Sequence, residues 1–255
     1  MTPPIFDSHA HLDDPDWPVA TTLAQLTALP HWRGTLTAGY GPERFETSRL
    51  ACQREPRVRR SLGLHPWWLA ERDSLAREQG WQLLRAELNE HGAAAVGEIG
   101  VDKNRQHQQG GDDQQAWLER GLQLAKELEL PVVLHIVGWH GRALAALRKV
   151  GGPWRGAVHR YSGSPALVRE YIDLGLHIGL ALEPRENADR RAAVARAIPG
   201  ERLLVESDWP FGELDYLQAL EATWVLAQRI AAWRGEDATD LAARHNHETQ
   251  QLFWN

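Results

Sequence analysis

The sequence predicts a single (β/α)8 barrel, an α/β fold. Three observations point to it: eight short apolar or β-branched runs spread along the whole chain, segments of helical period between them, and runs that are apolar on both faces. A doubly wound open sheet is the competing arrangement. The runs fall at Ile5–His9, Gly34–Ala38, Val58–Leu64, Ala94–Ile99, Val132–Val137, Ala157–His159, Leu176–Leu182 and Leu203–Ser207. Pro131-Val132-Val133-Leu134 shows the type, continuous in its apolar character as a parallel strand covered by helices requires. Helical period is read over Thr22–Leu29, Leu69–His91, Gln114–Leu130, Arg142–Val150, Pro165–Leu174 and Arg190–Ile198, each segment returning the chain to the same edge of the sheet. Leu214–Trp233 and Asp237–Phe253 read as terminal helices. Pro and Gly are scattered, and no repeat or low-complexity stretch marks a linker, so residues 1–255 are expected to form one barrel domain.

A chain of 255 residues suits a one-domain barrel, and 43% hydrophobic with 24% charged residues excludes a disordered or fibrous protein. With 28 Lys+Arg against 34 Asp+Glu the formal charge is −6, which excludes nucleic-acid affinity by bulk attraction. An anionic substrate would need positive charge supplied locally. The single cysteine, Cys52, excludes an internal disulfide, and Met1-Thr2-Pro3-Pro4-Ile5 has no basic region followed by an apolar run. No stretch approaches the run of about 20 apolar residues that a membrane span needs. A soluble, cytoplasmic protein without a membrane partner is the expectation.

Histidines and acids recur where the candidate strands end, and in a barrel those ends converge on one pocket. His9 and His11 lie two apart at the end of the first strand and project to one face. Glu98 ends the fourth strand, His135 the fifth and His159 the sixth, while Asp208 follows the eighth. A His-x-His pair or one strand histidine arises readily by chance. Six such residues on one rim would bury charge and unpaired donors together at several kcal/mol each unless a cation joined them. Four imidazoles and two carboxylates exceed what one tetrahedral ion needs and suit a pair of divalent ions about 3.5–4 Å apart, of Zn²⁺, Mn²⁺ or Mg²⁺ type.

Several stretches carry a more specific signal: Phe6-Asp7-Ser8-His9-Ala10-His11-Leu12-Asp13, Gly63-Leu64-His65-Pro66, Gly97-Glu98-Ile99-Gly100-Val101-Asp102, Leu130 to His135, His159-Arg160-Tyr161-Ser162-Gly163-Ser164, and Leu203 to Pro210. In order and spacing the chain resembles the TatD family of metal-dependent deoxyribonucleases, within the amidohydrolase superfamily. The resemblance implies that His9 and His11 hold a first metal with Asp208, that Glu98 bridges two ions, and that His135 and His159 hold the second. A carboxylate between two cations keeps them close, and Asp208 is placed to accept a proton from the attacking water. The implied activity is hydrolysis of phosphodiester bonds in DNA, with single-stranded ends, taken in the 3′-5′ direction, as the substrate. Two other classes stay open: a binuclear-metal enzyme for a small ester, lactone or amide, and a barrel subunit of a larger nucleic-acid-processing assembly.

By position His65, after the third strand, is expected to hydrogen-bond a phosphate oxygen or the leaving group, with loop packing as the alternative. Lys103, Arg105, Arg160 and Arg185 follow strands four, six and seven, within reach of phosphates. The chain departs from the family pattern at His135-Ile136-Val137, where His-Ser-Arg is usual, at Arg160-Tyr161 in place of Cys-Phe, and at Glu248 to Phe253. Tryptophan is abundant, with 12 residues. Trp67, Trp68, Trp139 and Trp209 follow strand ends, and Trp68 and Trp209 are expected to stack bases of a single-stranded substrate, with loop packing as the alternative.

Overall fold

The computed structural model describes residues 3–183, 187–210 and 214–255. Its eight strands are β1 (Ile5–Ala10), β2 (Trp32–Thr37), β3 (Val58–Leu62), β4 (Ala95–Asp102), β5 (Val132–Val137), β6 (Gly156–Val158), β7 (His177–Ala181) and β8 (Leu203–Glu206). They form one sheet in sequence order, each paired parallel to the next, and β1 lies against β8, as the (β/α)8 barrel requires. The helices are α1 (Val19–Thr27), α2 (Phe45–Arg54), α3 (Pro66–Ala70), α4 (Ser74–His91), α5 (Gly111–Glu127), α6 (His140–Val150), α7 (Pro165–Asp173), α8 (Ala188–Ala197), α9 (Tyr216–Arg234) and α10 (Ala238–Phe253). Among the described residues no helix is long and apolar enough to cross a membrane.

Two helices depart from the sequence reading. α2 was not expected because its inward face is Phe45, Ser48 and Ala51, too polar and too small to give an apolar period. The segment Leu69–His91 is two helices: Asp73 accepts the backbone N–H of Ala76 at 2.8 Å and starts α4 afresh, leaving α3 as a single turn begun by Pro66.

The interior of the barrel is layered. Leu36, Ala95, Val133, Ala157 and Leu204, from five strands, meet Leu252 and Phe253 of α10, so the last helix closes one end with apolar side chains. Polar and charged residues gather at the opposite, C-terminal end. Two irregularities in the ladder fall there, between Asp7 and Ala10 of β1 and between Val96 and Ile99 of β4. Such breaks re-aim a side chain, and these two carry His9 and Glu98. Gly63 permits the turn of β4, since a Cβ there would lie 2.4 Å from the Glu98 carbonyl oxygen.

The seam between β8 and β1 is stitched by other means than a regular ladder. Backbone bonds run from Asp208 N–H to the His9 carbonyl at 2.9 Å and from His11 N–H to the Trp209 carbonyl at 2.6 Å. Asp7, fully buried, accepts the Ser207 N–H at 3.0 Å, the Ser207 hydroxyl at 2.6 Å and the Tyr216 hydroxyl at 2.9 Å. From α10, His245 Nδ1 accepts the Val205 N–H at 3.1 Å, which leaves its proton on Nε2, donated to the Phe6 carbonyl at 2.9 Å. The neighbouring Asn246 accepts the Phe6 N–H at 2.9 Å and donates to the Pro4 carbonyl at 2.7 Å. Two side chains of the last helix thus do what a strand neighbour would do.

Candidate metal centre

Glu98 is the hub of the site. Its side chain is fully buried, and neither oxygen has a hydrogen-bond partner. Oε2 faces His9 Nε2 at 3.5 Å and His11 Nε2 at 3.3 Å. Oε1 faces His159 Nε2 at 2.8 Å, His135 Nδ1 at 3.4 Å and His65 Nε2 at 3.6 Å. Asp208 approaches from β8, with Oδ1 at 3.6 Å from His9 Nε2, 3.9 Å from His11 Nε2 and 3.8 Å from His159 Nδ1. Donor atoms of His9, His11 and Glu98, of His9, His159 and Asp208, and of His65, Glu98 and His135 each lie within 4.8 Å of one another.

The outer partners of the imidazoles fix which nitrogen faces the cluster. His11 Nδ1 gives its proton to the Ala38 carbonyl at 3.2 Å, leaving the Nε2 lone pair toward Glu98. His135 Nε2 gives its proton to Asp102 at 3.1 Å, leaving Nδ1 turned inward. His65 is reversed: Nδ1 accepts the Trp67 backbone N–H at 3.0 Å, so its Nε2 is the protonated nitrogen and donates to His135 Nδ1 at 3.2 Å. His9 is buried with neither ring nitrogen bonded, and its ring stacks on His159 with centroids 4.0 Å apart.

The electrostatics follow from that packing. Burial would raise Glu98, but His159, His9, His65 and His11 outweigh it and hold the carboxyl well below its usual range. Burial would lower His9, but Glu98, with Asp208 and Glu206 behind it, draws the ring up to about 9. His159, desolvated and stacked on His9, falls to about 4. Positive charge is attracted to the middle of the cluster, and unpaired lone pairs there suit a cation bound by mixed nitrogen and oxygen donors.

Asp208 is held in the left-handed region at φ 52°, as is Arg160 at φ 42°, unusual for residues other than glycine. The two are joined: Arg160 Nη1 lies 3.2 Å from Asp208 Oδ2, and its Nη2 lies 2.7 Å from Glu183. The backbone N–H of Arg160 donates to the buried Glu206.

A family model described as TatD related DNase matches residues 6–254. The chain belongs to that family. It is 32% identical over 228 residues to the 3′-5′ ssDNA/RNA exonuclease TatD of Cronobacter sakazakii, which covers 82% of this chain and 83% of the relative. It is 30% identical over 260 residues to the Escherichia coli protein described as an uncharacterized metal-dependent hydrolase, YjjV, covering 97% of this chain and 96% of the relative. The crystal structure of that TatD homolog matches over the whole of both chains with a TM-score of 0.82 at 26% identity. A TatD family hydrolase from Entamoeba histolytica has the same fold, with a TM-score of 0.83 at 16% identity. The chain is thus a hydrolase of a metal-dependent family.

Against this TatD frame, the structure brings His9, His11, Glu98, His135, His159 and Asp208 together, with His65 beside them. Arg160 reaches the cluster as well. Arg105 does not: its guanidinium lies over the Trp67 ring, 4.4 Å from the centroid. Arg185 lies outside the described residues. The stacking surface expected of Trp68 and Trp209 is corrected by their burial. Trp68 is 4% exposed and fills a slot that Gly41 and Gly80 leave open, where a Cβ on either would meet the ring within 2.4 Å, and its N–H goes to Glu43 at 2.8 Å. Trp209 is 1% exposed, packs against Trp17 and Tyr216, and donates to the Leu214 carbonyl at 2.9 Å.

Residues that sequence reasoning passed over complete the site. Asp102 supports His135, and its own backbone is clamped by the fully buried Gln114, which accepts its N–H at 2.7 Å and donates to its carbonyl at 3.1 Å. Arg44 borders the same pocket, with its guanidinium 4.5 Å from the Tyr40 ring centroid. Asp102 ends the stretch Gly97 to Asp102, but nothing in its spacing distinguishes a residue that supports an imidazole from a polar strand end.

Proposed function

We propose that the chain is a metal-dependent phosphodiesterase acting on DNA, removing nucleotides from the 3′ end of single strands. In this reading His9, His11 and Asp208 hold one divalent ion, His135 and His159 a second, and Glu98 both, with Zn²⁺, Mn²⁺ or Mg²⁺ as the ion. The observation that carries it is the buried, unpartnered Glu98 carboxylate ringed by imidazole nitrogens at 2.8–3.6 Å. The relatives named as nucleases support the substrate class.

Bound cations supply a water acidified toward neutral pH and an electrophile for the phosphoryl oxygens. The protein does the rest. As the water oxygen bonds to phosphorus and the leaving oxygen departs with the electrons of its bond, Asp208 takes the water's proton, which is then available for the departing oxygen to end as a hydroxyl. Its left-handed backbone and its contact with Arg160 fix the carboxylate in place. His65 presents an N–H to a phosphate oxygen. Arg44, paired with Asp14 at 3.1 Å, and Arg160, paired with Asp208 and Glu183, bring guanidinium N–H donors to the pocket. The net positive charge that a chain of net charge −6 lacks would come from the bound cations.

Metal-reconstituted protein incubated with end-labelled single- and double-stranded DNA and RNA, beside a lactone and amide panel, tests this. Mononucleotides released from the 3′ end of single-stranded DNA, with up to two ions per chain by elemental analysis, are expected. Hydrolysis confined to lactones or amides, or a ceiling of one ion, overturns it.

Asp102→Asn is expected to weaken divalent-metal binding by about 10–100-fold, because an amide donor facing His135 Nε2 would force its proton onto Nδ1. Competition with a chromogenic chelator measures this. Unchanged affinity would remove Asp102 from the support of the site.

A further inference from the structure

Beside the cluster lies a second pocket of about 330 Å³, within the range of small-ligand sites. The two pockets share Trp67, His135, His159 and Arg160, so the second adjoins the cluster directly. Its lining sets the apolar Ile136, Val137 and Tyr161 beside the charged Glu183 and Arg190. One wall is the indole of Trp67.

Trp67 is 38% exposed and is the one aromatic residue among those described that is neither buried nor half-buried. Its ring is nevertheless fixed. The indole N–H donates to Asp102 Oδ2 at 2.6 Å, the Arg105 guanidinium lies over one face at 4.4 Å from the centroid, so a base would stack on the other, and its backbone N–H is bonded to His65. An exposed aromatic surface that is held rigid at a pocket costs little ordering entropy when a planar group is laid on it. Aromatic platforms of this kind take nucleobases of any sequence.

We propose that this pocket is a subsite for one nucleotide unit, its base stacked on Trp67 and its phosphate at the Arg160 border with the cluster. The proposal rests on the phosphodiesterase reading and names which part of the substrate is recognised beyond the scissile bond. One base is held by one ring, so the subsite distinguishes a nucleotide from a sugar phosphate and is indifferent to base identity.

Calorimetric titration of the protein as purified with deoxyadenosine monophosphate and with deoxyribose 5-phosphate tests it, because the two probes share the phosphate and differ in the base. Roughly tenfold tighter binding of the nucleotide is expected, as one stacked base provides. Trp67→Ala should bring that ratio to about one, while Trp67→Phe, which keeps a ring and loses the N–H to Asp102, should retain most of it. Damage passed to the cluster through Asp102 would weaken both probes and leave the ratio intact. Equal affinities in the wild type, an unchanged ratio in Trp67→Ala, or binding of neither probe overturns the subsite. Labelled single-stranded DNA given to the same preparation separates the two readings: cleavage without a base-dependent ratio removes the subsite alone, and no cleavage of any nucleic acid removes the phosphodiesterase reading.

Discussion

Asp208→Asn is expected to abolish turnover while the barrel stays folded. In the proposed mechanism the carboxylate takes the proton of the attacking water, and an amide cannot take it. Loss of a positioned base costs about 10²–10⁴ in rate, and poorer metal binding adds to it. Asparagine tolerates the left-handed backbone that Asp208 adopts at φ 52°, so the Asp208 N–H to His9 carbonyl bond is expected to survive. What is lost locally is the charge facing Arg160 at 3.2 Å. Single-turnover kinetics at verified metal content measure the effect, with circular dichroism and Tm as the control for folding. Activity within a few-fold of wild type would assign the proton to another group.

The second large effect is on stability and arises at the seam. Burial pushes His245 down to about 4, outweighing the bond it donates to Phe6. The folded ring stays neutral while the unfolded ring takes up a proton below about pH 6.5. The unfolded state therefore binds more protons between about pH 6.5 and 4. His245 contributes stability that is complete well above pH 6.5 and is lost as the pH falls through that window. Between pH 6.5, where the unfolded ring is half protonated, and pH 5 the loss is about 1.6 kcal/mol, the slope approaching 1.36 kcal/mol for each unit of pH at the acid end. His245→Gln has an acceptor and a donor for the same two backbone groups but does not titrate. Urea unfolding at both pH values is expected to show a smaller acid-induced loss in His245→Gln than in the wild type. Equal losses in the two proteins would exclude His245 as their source.

The barrel and the inward-facing donors were legible because each has a strong local signature. A strand buried on both faces is a run of apolar residues, and His9, Glu98, His135 and Asp208 stand out as polar residues at or beyond the ends of such runs. The helix α2 had no such signature, since Ser48 and Ala51 are two of the three residues of its inward face. The tryptophans mark a different limit. Position after a strand places Trp67 and Trp68 equally near the mouth, but successive residues of α3 point about 100° apart, so one faces the pocket and the other faces inward. Which one is decided by Gly41 and Gly80, 26 residues before and 13 residues after Trp67, whose missing side chains make the seat for Trp68. Contacts of that kind join distant parts of the chain and leave no period to read.

The stitching of β8 to β1 by His245 and Asn246 sets an order of events in assembly. Phe6 and Asn246 are 240 positions apart, close to the full length of the chain, and closing a contact of that span is among the slowest steps a fold can contain. Strands β1 to β7 can zip neighbour to neighbour as they emerge from the ribosome, each pairing local in sequence. His9 and His11 come from the first strand and Asp208 from the last, so the donors they share meet only after that late closure. A chain in which that seam is open can therefore hold its neighbour-to-neighbour strand pairs and still keep His9 and His11 apart from Asp208, so closure of the seam and assembly of the proposed cation site are one event.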